Sequence, residues 1–194
     1  MEKLTKKDLT STGTFALLYF LCVGLGTLVG SFFDRSGSMF YAPAFAALFG
    51  GVVYFLLLEK VAKFGAISLL GLVMAGFFFL SGHFIAVALP GLFFGLLADG
   101  IAKQGNYRSR GHNVLSFIVF SFVNTGPIFL MWLARKSYMA SLAARGKSSD
   151  YINRVMLPVD PSIISWFILT VLVGAGIGAL LGQIFVSYKP SKKV

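Results

Sequence analysis

Between Gly65 and Ile101 the sequence carries a single formal charge, Asp99. As one α-helix at about 1.5 Å per residue this run would be roughly 55 Å long, against a membrane hydrocarbon core of about 30 Å. It has to fold back on itself, and Ser81-Gly82-His83 is the polar, flexible break near its middle. Spans are therefore expected at about 66–80 and 84–102, with Pro90 inside the second, where neighbouring helices can satisfy the carbonyl it frees.

The rest of the chain repeats this character. Of its 194 residues 57% are hydrophobic and 12% charged, against about 25% charged in an ordinary soluble domain, which excludes a soluble globular fold. Further apolar runs cover about 12–33, 41–58, 114–134 and 163–188. The first follows a basic segment, as a signal peptide would, but its apolar part is too long and no convincing A-x-A site follows, so it reads as an uncleaved span. Six spans use about 120 residues and leave no room for a separate soluble domain, so residues 1–194 read as a single integral membrane domain. The lone Cys22 allows no internal disulfide and no cysteine metal cluster.

The net charge of +10 would suggest nucleic acid in a soluble domain; here the basic residues are topology determinants, and no nucleic-acid partner is expected. Six of the 17 Lys and Arg residues, Arg35, Arg135, Lys136, Arg145, Lys147 and Arg154, fall in one alternate set of loops, and the other eleven in the tails and the opposite set. The positive-inside rule then puts both termini in the cytoplasm. Five basic residues remain in an external loop, about 135–162. Either longer loops translocate with little regard to charge, or the cluster attracts an anionic ligand.

Several polar residues fall at bilayer depth. Asn124-Thr125-Gly126-Pro127 puts an amide, a hydroxyl and a proline-broken backbone near the middle of the fifth span, where unpaired polar groups are expensive. The segment is either a kink satisfied by neighbouring helices or part of a ligand site. Trp132, Arg135, Lys136 and Tyr138 follow on the expected outer side, with His83 and Trp166 at similar depth, although aromatic residues there also serve as bilayer anchors. His83 is a helix cap or a ligand to metal or haem iron. Asp99 has Lys103 as an i,i+4 partner. Gly174, Gly178 and Gly182, Gly26 with Gly30, and Gly91 with Gly95 form flat helix faces that suit close packing within the chain or docking onto a membrane partner. Thr12 with Ala16 offers a similar face on the first helix.

Enzyme motifs fail. Gly146-Lys147-Ser148 ends like a Walker A loop, but the position that needs its first glycine is Ser141. There is no G-x-S-x-G elbow and no H-E-x-x-H, so the chain is expected to be neither an ATPase nor another enzyme.

Taken in order, Lys3-Leu4 to Asp8-Leu9, Gly13-Thr14-Phe15-Ala16-Leu17-Leu18-Tyr19-Phe20, Ser81-Gly82-His83-Phe84, Gly95-Leu96-Leu97-Ala98-Asp99, Gly105-Asn106-Tyr107-Arg108-Ser109 and Gly126-Pro127 to Trp132, then Lys136-Ser137-Tyr138, resemble the Trep_Strep group of membrane proteins. That group is similar to the substrate-binding S components of energy-coupling factor (ECF) transporters. The resemblance covers about residues 3–188 and rests on order and spacing. It implies an all-α bundle of six transmembrane helices with both termini cytoplasmic, in the cell membrane. It further implies micronutrient binding near the outer face, and partnership with an ECF transmembrane coupling protein and two cytoplasmic ATPases that use the ATP. No cofactor intrinsic to this chain and no bound metal is implied. Docking in such proteins uses an A-x-x-x-A face, whose nearest counterpart here is Thr12-x-x-x-Ala16.

Carried onto this chain, the resemblance implies a substrate site lined by Tyr41, His83, Asn124, Trp132, Arg135, Lys136, Tyr138 and Trp166. The basic loop favours an anionic substrate, and the aromatic content of 15% a flat or greasy one, such as a vitamin-like compound or a haem or other porphyrin. The alternatives are a standalone secondary transporter and a membrane enzyme acting on a lipid through Asp99, His83 or Asp150.

Overall fold

The computed structural model describes residues 3–80 and 85–188, and every regular element among them is helical. Helix α1 (Lys6–Phe33) opens with a capping box. Thr5 Oγ1 accepts from Asp8 N at 3.2 Å, and the Asp8 carboxylate accepts from Thr5 N at 2.9 Å, so two orphan N–H groups of the first turn are satisfied reciprocally. Lys63 Nζ, in the loop before the third helix, donates to the same carboxylate at 2.9 Å.

Helix α2 (Ala42–Lys60) returns antiparallel along α1. Helices α3 (Ala66–Leu80) and α4 (Leu89–Gln104) pack against each other, with a 3-10 turn at Ile85–Ala88 leading into α4. Pro90, expected inside a span, instead stands in the first turn of α4, where a missing N–H loses no intrahelical bond. Ser81-Gly82-His83-Phe84 lies outside the described residues.

The fifth apolar run is broken. Helix α5 (Arg110–Phe120) passes through a 3-10 turn (Ser121–Asn124) into α6 (Gly126–Leu133), bent by 64°. Pro127 takes a first-turn position in α6, so the proline starts a new helix rather than kinking an old one. Gly126 permits the bend to nest against the turn before α4, since a Cβ there would lie 2.1 Å from the Val87 carbonyl oxygen. The stretch expected as loop, 135–162, contains two short helices, α7 (Arg135–Ala144) and α8 (Ser149–Val155). Helix α9 (Pro161–Tyr188) then runs parallel to α2.

The glycine faces are used inside the chain. A Cβ on Gly51 would stand 2.0 Å from the Gly178 carbonyl oxygen, and one on Gly178 would stand 2.3 Å from that of Ala47, so α2 and α9 touch backbone to backbone. Gly174 and Gly182 abut α2 in the same way, Gly26 and Gly30 face α2 from α1, and Gly91 and Gly95 face Gly71 of α3. Thr12 and Ala16 are also turned inward, with 0% and 2% of their surfaces exposed. The docking face expected there is therefore closed in this structure, because the small side chains serve the chain's own packing. The opposite side of α1 is open, with Leu17, Leu21, Leu25 and Leu28 exposed.

At the centre, Tyr19, Tyr54, Phe117 and Phe120 are fully buried and meet ring to ring at 4.9–5.3 Å. Asp99, for which the sequence offers Lys103 as a partner, closes the start of α3 from α4. Its carboxylate accepts from Gly65 N at 2.8 Å, Ser68 N at 2.9 Å, Ser68 Oγ at 2.7 Å and Tyr107 Oη at 2.9 Å. Burial and the neighbouring Asp99 push the Tyr107 phenol well above its ordinary pKa.

Four helical stretches, Lys6–Phe33, Ala42–Lys60, Ala86–Gln104 and Pro161–Tyr188, are long and apolar enough to cross a bilayer, and the bent pair of α5 and α6 makes a fifth if counted as one span. Helix α3 is apolar but has only 15 residues, about 22 Å.

Candidate functional site

The end of α1, the start of α2 and the end of α3 enclose a cavity of about 480 Å³, within the range typical of small-molecule sites. Val23 and Thr27 of α1, Ala42 and Ala46 of α2, and Phe77 and Phe78 of α3 line its sides. The break between α5 and α6 supplies the deep wall with Asn124, Pro127 and Ile128, and α7 with α8 covers the outside through Tyr138, Leu142, Tyr151 and Val155. The covering helices are held by an apolar cluster in which Leu142, Ile152 and Met156 pack with Phe78, Val87 and Met131.

Asn124 is 7% exposed, and neither its Nδ2 nor its Oδ1 has a hydrogen-bond partner among the described residues. The Tyr19 hydroxyl lies near it but outside hydrogen-bonding geometry, and is likewise without a hydrogen-bond partner among the described residues. An unsatisfied buried amide costs about 1–3 kcal/mol. The 3-10 turn presents it: α5 tightens just before Pro127, and the side chain reaches the cavity that the bend leaves open.

At the mouth the chemistry changes. Arg145 and Lys147, exposed beyond the end of α7, line the cavity together with Tyr151. Lys147 Nζ lies 5.0 Å and Arg154 Cζ 5.6 Å from the centre of the Tyr151 ring. Tyr138 is buried, which pushes its phenol above the ordinary value against the opposing effect of Arg145, so it enters the cavity wall as a neutral group.

The remaining rim comes from the loop between α1 and α2. Asp34 accepts from Ser36 N at 2.9 Å and from Ser38 Oγ. Ser38 Oγ in turn accepts from Phe40 N at 3.2 Å. This network holds Gly37, Ser38 and Met39 against the cavity, with Met39 in the left-handed region at φ 60°, a conformation rare for a residue with a side chain.

Of the residues anticipated from the sequence, Asn124 and Tyr138 line the cavity. Arg135 and Trp132 are placed elsewhere and tie down the segment before α9, Arg135 Nη1 donating to Leu157 O at 2.6 Å and Trp132 Nε1 to Pro158 O at 3.1 Å. Trp132 also packs edge-on against Phe167 at 5.4 Å. Trp166 Nε1 donates to Tyr41 Oη at 3.4 Å, away from the cavity lining. Lys136 is exposed and outside that lining, and His83 lies outside the described residues. The basic residues that do reach the cavity, Arg145 and Lys147, belong to the same loop that the charge count singled out. They were missed because the ten-residue helix that begins at Arg135 was not recognised and carries the chain on to them. Among the described residues no group of three or more His, Cys, Asp or Glu side chains could hold a metal ion.

No curated protein and no solved structure matches this chain. A family model described as "Hypothetical bacterial integral membrane protein (Trep_Strep)" matches residues 6–187. With several helices long and apolar enough to cross a bilayer, the chain is a multi-pass integral membrane protein, and it belongs to the Trep_Strep family.

Proposed function

We propose that this chain is the substrate-binding membrane subunit of an ATP-driven importer of the energy-coupling factor type. The observation that carries this reading is the pairing of a buried, unpartnered amide, Asn124, at the deep wall of the cavity with Arg145 and Lys147 at its mouth. A ligand entering this cavity meets aromatic walls, one amide to satisfy at depth and positive charge at the rim. A small, partly aromatic anion matches all three, and a vitamin-like compound is of suitable size.

In this reading the chain crosses the membrane six times, with α3 as a short span and α5 with α6 as one bent span, and both termini are cytoplasmic. Eleven of 17 basic residues on the cytoplasmic side support that orientation. The cavity then opens outward under the lid of α7 and α8, and the chain itself is not an enzyme. A transmembrane coupling protein and two cytoplasmic ATPases supply the energy, docking on a lipid-exposed helix face such as the leucine side of α1.

The test is a native mass spectrum of the tagged chain taken from its host membrane in mild detergent. One small-molecule adduct per chain, with coupling and ATPase subunits retained, is the expected result. Uptake by the purified chain alone in liposomes, driven by an ion gradient without ATP, would overturn the reading in favour of a standalone secondary transporter.

A further inference from the structure

At the opposite end of the bundle, where α2 and α9 finish and α5 begins, lies a second pocket of about 420 Å³. Its polar lining includes Glu59 of α2, Arg108 and Arg110 before and at the start of α5, and Asn113 one turn on. Asn113 is 8% exposed. Its Nδ2 donates to Tyr107 O at 3.0 Å, while its Oδ1 has no partner among the described residues. The pocket therefore presents a buried acceptor that lacks a donor, beside two exposed arginines that can take an anion.

A second feature says where the rest of the ligand goes. A shallow groove on the outside of the bundle, lined by Val114, Leu115 and Ile118 of α5, shares Arg110 and Gln183 with the pocket. Gln183 Nε2 donates to Arg110 O at 3.4 Å, joining α9 to α5 where pocket and groove meet. The flanks are lipid-facing: Leu115 is exposed on α5, as are Leu180 and Ile184 on α9. A polar pocket at a helix end that continues into an apolar groove along the same helix has the shape of a headgroup and an acyl chain.

We propose that this is a binding site for an anionic glycerophospholipid with a hydroxylated headgroup. Its phosphate lies against Arg108 and Arg110, a headgroup hydroxyl donates to Asn113 Oδ1, and one acyl chain lies over Val114 and Ile118. The signs select the class: two guanidinium groups at the pocket favour an anion, which a phosphodiester supplies. A basic pocket between membrane helices is a recurring form of headgroup recognition. The site is separate from the cavity under α7 and α8 and does not depend on what that cavity binds.

The experiment uses the full chain, stripped of lipid in a neutral maltoside detergent and titrated with dioleoyl phosphatidylglycerol, dioleoyl phosphatidylcholine, dioleoyl phosphatidylethanolamine or glycerol 3-phosphate. Bound adducts are read by native mass spectrometry and stabilisation by thermal melting. One retained phosphatidylglycerol per chain is expected, in preference to either zwitterionic lipid. Arg108→Gln with Arg110→Gln should weaken it about 30-fold, whereas Lys6→Gln with Lys7→Gln, an equal change of charge on the same end, should leave it bound. Both arginines are exposed, so their replacement spares the core, and an unchanged melting point without lipid verifies this. Equal retention of a zwitterionic lipid, or equal loss in both double variants, overturns the proposal. Stabilisation by glycerol 3-phosphate equal to that by the lipid also overturns it and assigns the pocket to a soluble phosphate ester.

Discussion

The Tyr54 hydroxyl lies 2.6 Å from Ser116 Oγ, in the fully buried centre where α2 meets α5. Ser116 donates its one proton to Ala98 O of α4 at 2.5 Å, so Tyr54 is the donor in the pair, and the serine links three helices. This order of donation makes the two side chains unequal. Tyr54→Phe removes one hydrogen bond and leaves the serine proton satisfied, a loss of about 1 kcal/mol. Ser116→Ala leaves a buried phenol without a partner and should cost about 2–3 kcal/mol. Melting of the two variants in detergent should rank them in that order, and the reverse rank would contradict the donor assignment.

The contact between α2 and α9 makes a similar contrast within one helix. Gly178→Ala forces a methyl group into the Ala47 carbonyl, and overpacking of this kind costs about 1–3 kcal/mol. Gly176→Ala, two residues away, meets nothing within 4 Å and should be neutral or stabilising by up to about 1 kcal/mol. Equal melting points for the two variants would show that the helices separate without cost.

Asn124 should show opposed effects on stability and binding. Replacing a buried amide that has no protein partner by Leu removes an unsatisfied group, so ligand-free Asn124→Leu should melt at or above the wild-type temperature. The same variant should lose the small-molecule adduct. A lower melting point would mean that the amide holds the fold rather than a ligand.

The mouth of the cavity and its depth should respond differently to salt. Arg145→Ala with Lys147→Ala should weaken anion binding by about tenfold at low ionic strength and less at high salt, because exposed charges are screened over about 8–10 Å. Arg135→Ala with Lys136→Ala should leave that affinity unchanged, since neither lines the cavity. Titration calorimetry at two salt concentrations with the ligand identified by mass provides the comparison.

The rim loop should carry a pH dependence. Burial raises the Asp34 carboxyl, but hydrogen bonds from Ser38, Ser36 and the Phe40 backbone outweigh it and hold the group below its ordinary value. The unfolded carboxyl titrates near pH 4. A depressed folded value means that the stabilisation is complete above that pH and is lost as pH falls through the lower folded value. Amide exchange across 36–40 should therefore quicken only in acid below about pH 4, and Asp34→Asn should abolish the dependence.

Much of this was readable from local pattern. The run from Gly65 to Ile101, with Asp99 as its single charge, required a fold-back, and α3 and α4 supply one. The small-residue spacing of Gly174, Gly178 and Gly182 announced backbone contact, because a flat helix face is a property of 3.6-residue periodicity alone. Asn124 was conspicuous because an amide inside an apolar run has to be explained. The partner of a flat face is a different matter: nothing in the spacing of Thr12 and Ala16 distinguishes a face closed by the chain's own helices from one left open.

By itself the sequence determined a membrane protein of long apolar helices, the positions of most breaks between them and the concentration of basic residues between 135 and 162. These follow from hydrophobicity, length and charge, which are summed residue by residue. Only the tertiary structure decided that Arg145, Lys147 and Tyr151 share a cavity with Asn124 while Arg135 and Trp132 are engaged by Leu157 and Pro158. Those choices depend on how α7 and α8 fold back over the break at Pro127, and so on contacts between residues far apart in the chain.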